Sequence, residues 1–338
     1  MIIVTGGTGL LGSHLLFDLT MSGKDVRAVK RKTSNTDAVK KVFAYYSSRA
    51  DELFGRIEWI DADILDFNSM EDVLEGAEEV FHAGAVVSFY PKDHKAMFKV
   101  NTEGTASLVN ICLEKKIRKL CYVSSVATLG RAENDGISDE ETHWQTSKKN
   151  SVYSVSKYGA EREIWRGIAE GLNAYIVNPS VILGPGFWGG GNSGLFSLVW
   201  NGLKYYTRGI NGFVDVRDVS RAMILLMNSS ITAERFVVSS ENCSYQQIFG
   251  YMAKYLGKPA PSINVPSSMT GLAWRVEAVR SFIMRTLPEV TKEMAITTSQ
   301  EYRYSNEKIR KTLGFEFKTV EQSIKEISEL FLMDHLLR

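Results

Sequence analysis

The chain has 338 residues, enough to bury a sizeable core in one large α/β domain or in a domain with a smaller lobe. Its 40 Lys and Arg against 39 Asp and Glu form no broad basic or acidic field, which argues against nucleic acid or an anionic membrane as main partner and for a small-molecule substrate. Three widely spaced cysteines without a CxxC pair, Cys112, Cys121 and Cys243, indicate neither a disulfide framework nor a metal site and read as buried free thiols, and no uncharged apolar run approaches the roughly 20 residues of a membrane span.

An apolar run over 1–4 predicts a buried strand. Starting that strand at Met1 leaves no room for a signal or transit peptide, so a cytoplasmic protein is expected. An amphipathic helix over 13–22 follows the turn Thr5-Gly6-Gly7-Thr8-Gly9-Leu10-Leu11-Gly12. A strand that turns sharply through glycines into a helix leaves free N–H groups as a seat for a phosphate. Gly6 permits the tight turn, Gly9 lets the backbone approach a pyrophosphate and Gly12 lets the helix pack closely on the strand. The turn, with Leu10 and Leu11, is therefore a candidate dinucleotide site.

A second strand over 25–30 runs into Lys30-Arg31-Lys32. An NAD site carries a carboxylate about 20 residues beyond the glycines to hold the ribose hydroxyls. Here that position is basic. Arg31 is the candidate partner of the 2′-phosphate of NADP, because a guanidinium grips phosphate by two parallel bonds, whereas Lys30 and Lys32 also read as a solvated run. NADP(H) is favoured, with NAD(H) as the alternative. The stretch 58–64 predicts a third strand whose end brings Asp63 and Ile64 beside the adenine, while Asp61 and Asp66 read as turn or cap residues. After a helix over 69–75, a fourth strand over 79–85 ends in Ala83, Gly84 and Ala85, small enough for pyrophosphate and ribose to approach the backbone. His82 reads as a satisfied core residue.

Apolar spacing over 102–115 predicts a helix with Asn101 as its candidate cap. A fifth strand over 120–125 ends in Ser124-Ser125, two hydroxyls at the carboxyl edge of a central strand, where ligands bind in such sheets. The polar stretch 131–150, with Glu133, Asp135, Asp139, Glu140 and Glu141, reads as a surface loop over the site entrance. Tyr153 and Lys157 then share one helix face, so an ammonium can sit near a phenol, favour the phenolate and bring an ordinary pKa of about 10 toward neutral pH.

From Gly184 the sequence turns glycine-rich. The segment 184–194 reads as a mobile loop whose aromatics, Phe187 and Trp188, close over an apolar substrate, or as a plain surface loop. A helix over 217–227 and a strand over 235–239 lead back to the sheet. Further on, the apolar-rich 269–287, with Trp274, Phe282 and Met284 among Arg275, Arg280 and Arg285, reads as core or a partner face. The expected fold is α/β, a Rossmann-type doubly wound parallel sheet over 1–183 with 213–240 returning to it, and a smaller substrate lobe from 184–212 and 241–338.

Thr5 to Gly12, Asp63-Ile64, His82 to Ala85, Asn101 to Thr105, Val123-Ser124-Ser125, Tyr153 to Lys157, Asn178-Pro179-Ser180, Phe213 to Val219 and Leu313-Gly314-Phe315 together resemble the extended short-chain dehydrogenase/reductase family, often labelled NAD-dependent epimerase/dehydratase, over essentially the whole chain. The resemblance implies Ser125 as the hydroxyl that bonds the substrate oxygen, Tyr153 as the acid–base group, Lys157 as the residue that holds the nicotinamide ribose and tunes Tyr153, and Pro179 near the nicotinamide. Within the family the pattern resembles dihydroflavonol-reductase-like and cinnamoyl-CoA-reductase-like members. Val26 to Arg31 matches their second strand with its NADP-binding arginine, although Lys30 stands where the usual residue is apolar.

Val126-Ala127 follow Ser125 where sugar 4,6-dehydratases place an Asp-Glu pair, and neither can move a proton. Ile210-Asn211-Gly212 stands where nucleotide-sugar epimerases carry an arginine, with Arg208 further upstream. The expectation is reduction of a ketone or aldehyde on a small apolar or aromatic substrate, with a nucleotide-sugar epimerase holding NAD, or a non-catalytic dinucleotide sensor, as the alternatives. The helices beginning near Asn101 and Tyr153 are a dimer interface in many members of the family, so a monomer or a homodimer is expected.

Overall fold

The computed structural model describes residues 1–88, 90–132, 136–147, 150–266 and 297–336. In chain order the strands are β1 (Ile2–Thr5), β2 (Val26–Lys30), β3 (Ile57–Asp61), β4 (Glu79–His82), β5 (Lys119–Val123), β6 (Ala174–Pro179), β7 (Val181–Leu183), β8 (Tyr205–Tyr206), β9 (Ile210–Asp215), β10 (Glu234–Val238), β11 (Glu241–Ser244) and β12 (Ile263–Asn264). Seven of them pair in parallel, in the order β10-β6-β5-β4-β1-β2-β3. This is the Rossmann-type α/β fold. Helices cover both faces, so β1 and β6 are buried along their whole length.

The helices are α1 (Leu10–Met21), α2 (Asp37–Tyr46), α3 (Ala50–Gly55), α4 (Phe67–Val73), α5 (His94–Phe98), α6 (Gly104–Glu114), α7 (Val152–Ala169), α8 (Gly194–Trp200), α9 (Val216–Met227), α10 (Tyr245–Leu256), α11 (Glu307–Leu313) and α12 (Val320–Leu336). Alternate strand residues feed opposite faces of the sheet. Ile2, Val4, Phe81, Cys121, Tyr175 and Val177 pack with Leu15, Phe43 and Met223 of α1, α2 and α9. Ile3, Val80, Leu120, Tyr122 and Ile176 pack with Leu108 and Ile164 of α6 and α7.

A second body is built on the three-stranded sheet β11-β9-β7, where Phe196, Phe213, Phe249 and Phe331 of α8, β9, α10 and α12 share a separate core. β9 pairs with β11 and β7 in this small sheet, whereas α9 packs into the main core and β10 lies beside β6 at the sheet edge. All three cysteines are buried and free. No helix among the described residues is long and apolar enough to cross a membrane. The segment 269–287, with Trp274, Arg275, Arg280, Phe282, Met284 and Arg285, lies outside the described residues, as do Glu133 and Asp135.

Several ends differ from the sequence reading. α1 begins at Leu10 because Gly9 itself is the N-cap, so the helix springs directly from the turn. β4 stops at His82, and the chain is already helical from His94, passing through a π turn at Lys99–Glu103 into α6. Asn101 therefore lies inside the helix and does not cap it.

Candidate active site

A cleft of about 810 Å³ opens at the carboxyl ends of β1, β4, β5 and β6, where the strand order reverses between β1 and β4. Gly6, Gly9, Leu10, Leu11 and Gly12 line one side, Ala83 and Ala85 the next, and Ser125, Tyr153, Lys157 and Pro179 the floor. The turn needs its glycines. Gly6 has φ +71°, and a Cβ there would stand 2.6 Å from the Gly84 nitrogen, while one at Gly12 would stand 2.1 Å from the Gly6 oxygen. No side chain caps α1, so its first N–H groups are open to a ligand. Uncapped helix start, tight turn and small facing residues fit a dinucleotide pyrophosphate.

The buried His82 ring clips this edge together. Its Nδ1 lies 2.7 Å from Thr5 Oγ1 and its Nε2 3.0 Å from Thr105 Oγ1, joining β4 to β1 and α6. Burial, with the nearby Lys157 charge, lowers its pKa to about 3, so the ring is neutral, a satisfied core residue as expected. Asn101 makes the second clip. Its Nδ2 donates to the Val86 carbonyl at 2.9 Å and to Ser156 Oγ at 3.1 Å, and its Oδ1 accepts from the Val86 N–H at 2.8 Å. It ties the chain after β4 to α7.

Ser125 follows β5 with extended backbone, φ −161°, and its Oγ accepts from the Ala127 N–H at 3.1 Å. α7 starts at a Ser151 cap, which puts Tyr153 in the first turn and Lys157 one turn on. Burial raises the pKa of the Tyr153 phenol above the ordinary value, against the lowering pull of the Ser125 side chain. Lys157 Nζ donates to Tyr122 OH and to the Val123 carbonyl, both at 2.7 Å, and burial lowers its pKa to about 7 against the pull of Glu161. Both side chains share a helix face, but the ammonium is directed at β5 and burial dominates at the phenol.

Beneath them lies Glu161, which the sequence reading missed. It is 2 % exposed, and its Oε2 accepts from Ser124 Oγ, Thr128 Oγ1 and Asn178 Nδ2. Its position one turn beyond Lys157, on the face that carries Tyr153, was the available signal.

Arg31, Asp63 and Ile64 are not among the residues lining the cleft, and neither is Gly84, which backs onto Thr5. Arg31 is exposed just past β2, its backbone N–H donating to Ser34 Oγ at 3.1 Å. Lys30 pairs with Asp61 across β2 and β3, so Asp61 is an ion-pair partner and neither a turn nor a cap residue. Asp66 does cap α4, accepting from the Ser69 N–H. Asp63 is exposed and accepts from the Leu65 N–H at 2.9 Å, while Ile64 packs on Gly104.

The outer wall is aromatic and apolar. Trp144, stacked on Tyr158 with centroids 4.5 Å apart, joins Val87, Leu129, Val181, Ile182, Tyr302 and Tyr304. Arg131, Ser138, Gln145 and Ser147 bring the 131–150 stretch to the cleft mouth, but Glu140 is buried, its carboxylate accepting from the Val237 N–H at 2.7 Å. Residues 302–305 stitch the wall together. Ser138 N–H donates to the Arg303 carbonyl at 2.8 Å, Ser305 N–H to that of Ser138 at 2.9 Å, Tyr302 N–H to that of Ile210 at 2.9 Å and Tyr304 N–H to Asn242 Oδ1 at 2.9 Å. Phe187 and Trp188 do not line this cleft. Trp188 packs on Phe331 at 4.9 Å and its Nε1 donates to Asp334 at 2.7 Å, so this part of the glycine-rich segment is pinned to α12 and does not present its tryptophan to this cleft.

Residues 2–239 match the model of the NAD dependent epimerase/dehydratase family. The chain is similar to a putative dihydroflavonol 4-reductase of Synechocystis sp., at 28 % identity over 97 % of this chain and 93 % of the relative. Likewise, it is 28 % identical to sterol demethylase protein B of Methylococcus capsulatus, over 92 % of each chain. The crystal structure of gox2253 superposes with a TM-score of 0.81 at 26 % identity, over 99 % of this chain and 98 % of that one.

Proposed function

We propose, because this chain belongs to the NAD dependent epimerase/dehydratase family and is an NAD(P)-dependent oxidoreductase-type enzyme, that it reduces a ketone or aldehyde on a small apolar or aromatic substrate. The observation that carries this reading is the convergence of Ser125, Tyr153 and Lys157 on the floor of a cleft that also holds the uncapped start of α1. Gly6 to Gly12 would hold the dinucleotide, which would supply the hydride. Ser125 Oγ orients the carbonyl oxygen, and Tyr153, which burial keeps protonated, gives that oxygen its proton. Lys157 Nζ holds a cation beside the floor and is the group suited to a ribose hydroxyl. The aromatic wall of Trp144, Tyr302 and Tyr304 favours a flat apolar substrate and excludes water from the reacting carbon. Arg31 favours NADP(H), as an exposed guanidinium at the end of β2.

Two measurements test this. Tyr153→Phe is expected to lower kcat for NADPH-dependent reduction of an aromatic ketone and aldehyde panel by about a hundredfold or more, with NADPH affinity by calorimetry nearly unchanged. Undiminished turnover would sink the mechanism. In the second, wild type binds NADPH more tightly than NADH, and Arg31→Ala removes the difference. NAD that co-purifies, together with a melting temperature raised by uridine-nucleotide sugars, would move the assignment to an epimerase.

A further inference from the structure

We propose that Glu161 is a positioning residue, a buried carboxylate that fixes the Ser125 main chain from below; its activity readouts rest on the carbonyl-reductase reading above. A buried carboxylate is expensive to desolvate, and an apolar side chain of similar volume would fill the space at lower cost. What distinguishes this one is where its hydrogen bonds lead. Oε2 accepts from Thr128 Oγ1 at 2.6 Å and from Asn178 Nδ2 at 2.9 Å. The Asn178 amide, with its second hydrogen, also grips the Ser125 carbonyl at 3.1 Å, and the single hydroxyl proton of Thr128 is shared between Glu161 and that carbonyl, which lies 2.8 Å from Oγ1. Ser124, the residue before Ser125, donates its hydroxyl to the same carboxylate oxygen. Asn178 in turn immediately precedes Pro179. One oxygen atom therefore orders the turn that aims Ser125 Oγ and the strand end that forms the floor.

The other oxygen, Oε1, accepts from Arg235 of β10 at 3.1 Å and from Trp165 at 3.4 Å, which holds the carboxylate in one orientation. Both oxygens thus face donors only. A glutamine must turn an NH₂ toward one of the two sets, so Glu161→Gln removes the charge and breaks the clamp together.

The second effect is electrostatic. The groups facing Lys157 are His82 from β4, Tyr122 from β5, and Glu161 on its own helix. His82 is neutral and Tyr122 is a buried phenol whose pKa is raised, so Glu161 is the one of these that carries negative charge toward the ammonium. Losing it drives the lysine further toward the neutral form.

The test uses the full chain and two variants. Glu161→Gln is expected to lower kcat tenfold or more with KM changed less than threefold. It should also shift the Lys157 titration midpoint, followed by NMR of carbon-13-labelled lysine and assigned with Lys157→Met, downward by about one pH unit. Thr128→Val keeps the charge and removes one strand of the clamp; it should lower kcat without moving that midpoint. Glu161→Gln with kcat within twofold of wild type and an unmoved midpoint overturns the proposal. So does a Thr128→Val variant that loses stability alone, which decides the matter if the Gln variant does not fold. A wild type that turns over no carbonyl refutes the reductase reading, while the lysine titration still judges Glu161.

Discussion

Lys157 couples the floor of the cleft to pH. Its ammonium is 2 % exposed and burial brings its pKa to about 7, whereas in the unfolded chain a lysine titrates near 10.4. Between those values the unfolded state binds the extra proton, so this group makes stability rise as pH climbs from about 7 toward 10, and its burial penalty is complete below 7. Lys157→Met is therefore expected to stabilise the chain at pH 6, by up to about 4 kcal/mol, with the gain fading by pH 10. Urea unfolding at the two pH values checks this, and a gain that stays constant with pH would contradict it. The spacing put Tyr153 and Lys157 on one helix face, while Ser125 was singled out over Ser124 only by the family resemblance. Glu161 could not be read, because its role lies in Asn178, Thr128 and Arg235, partners that no local pattern joins to it.

At the scale of elements, β5 begins one residue earlier than its apolar run suggests. Its first residue, the buried Lys119, sends Nζ to the Leu226 and Ser229 carbonyls at 2.6 and 2.7 Å. These lie at and just past the end of α9, where a cation complements the helix dipole; the Leu226 carbonyl also accepts from Ser229 Oγ at 2.8 Å. Lys119→Met is expected to cost about 1–3 kcal/mol in urea unfolding, from the lost bond to the Ser229 carbonyl and the lost charge at the helix end, while leaving turnover intact. Most strands of the large sheet were legible, since runs such as Ile2 to Val4 and Leu120 to Val123 suit a sheet covered on both faces, whereas β6 was not among the strands read. The helix through Asn101 was not legible. Its amide serves Val86 and Ser156, and the π turn that delivers it there is a tertiary adjustment with no propensity signal. Trp188 misled for the same reason, its partners Phe331 and Asp334 lying far along the chain.

On the scale of the whole molecule, the ligand cleft lies over the carboxyl ends of the large sheet, and the small sheet and its helices stand beside it, each with its own core. The fold class and the glycine turn were plain from sequence because both are local patterns repeated along the chain. Of the wall opposite the floor, the loop over the entrance was read from its polar sequence, but its pairing with 302–305, far along the chain, was not. The backbone seam through 302–305 ties the loop at Ser138 to Ile210 and Asn242 on the small sheet. Such a seam makes the amides of Ser138, Tyr302, Tyr304 and Ser305 neighbours in time as well as in space, since none can be exposed without parting the wall. Hydrogen exchange at the four should therefore proceed at one shared rate and slow together when NADPH and a substrate analogue occupy the cleft. Four independent rates would mean that the wall opens piecemeal, and that substrates enter through it one strand of the seam at a time.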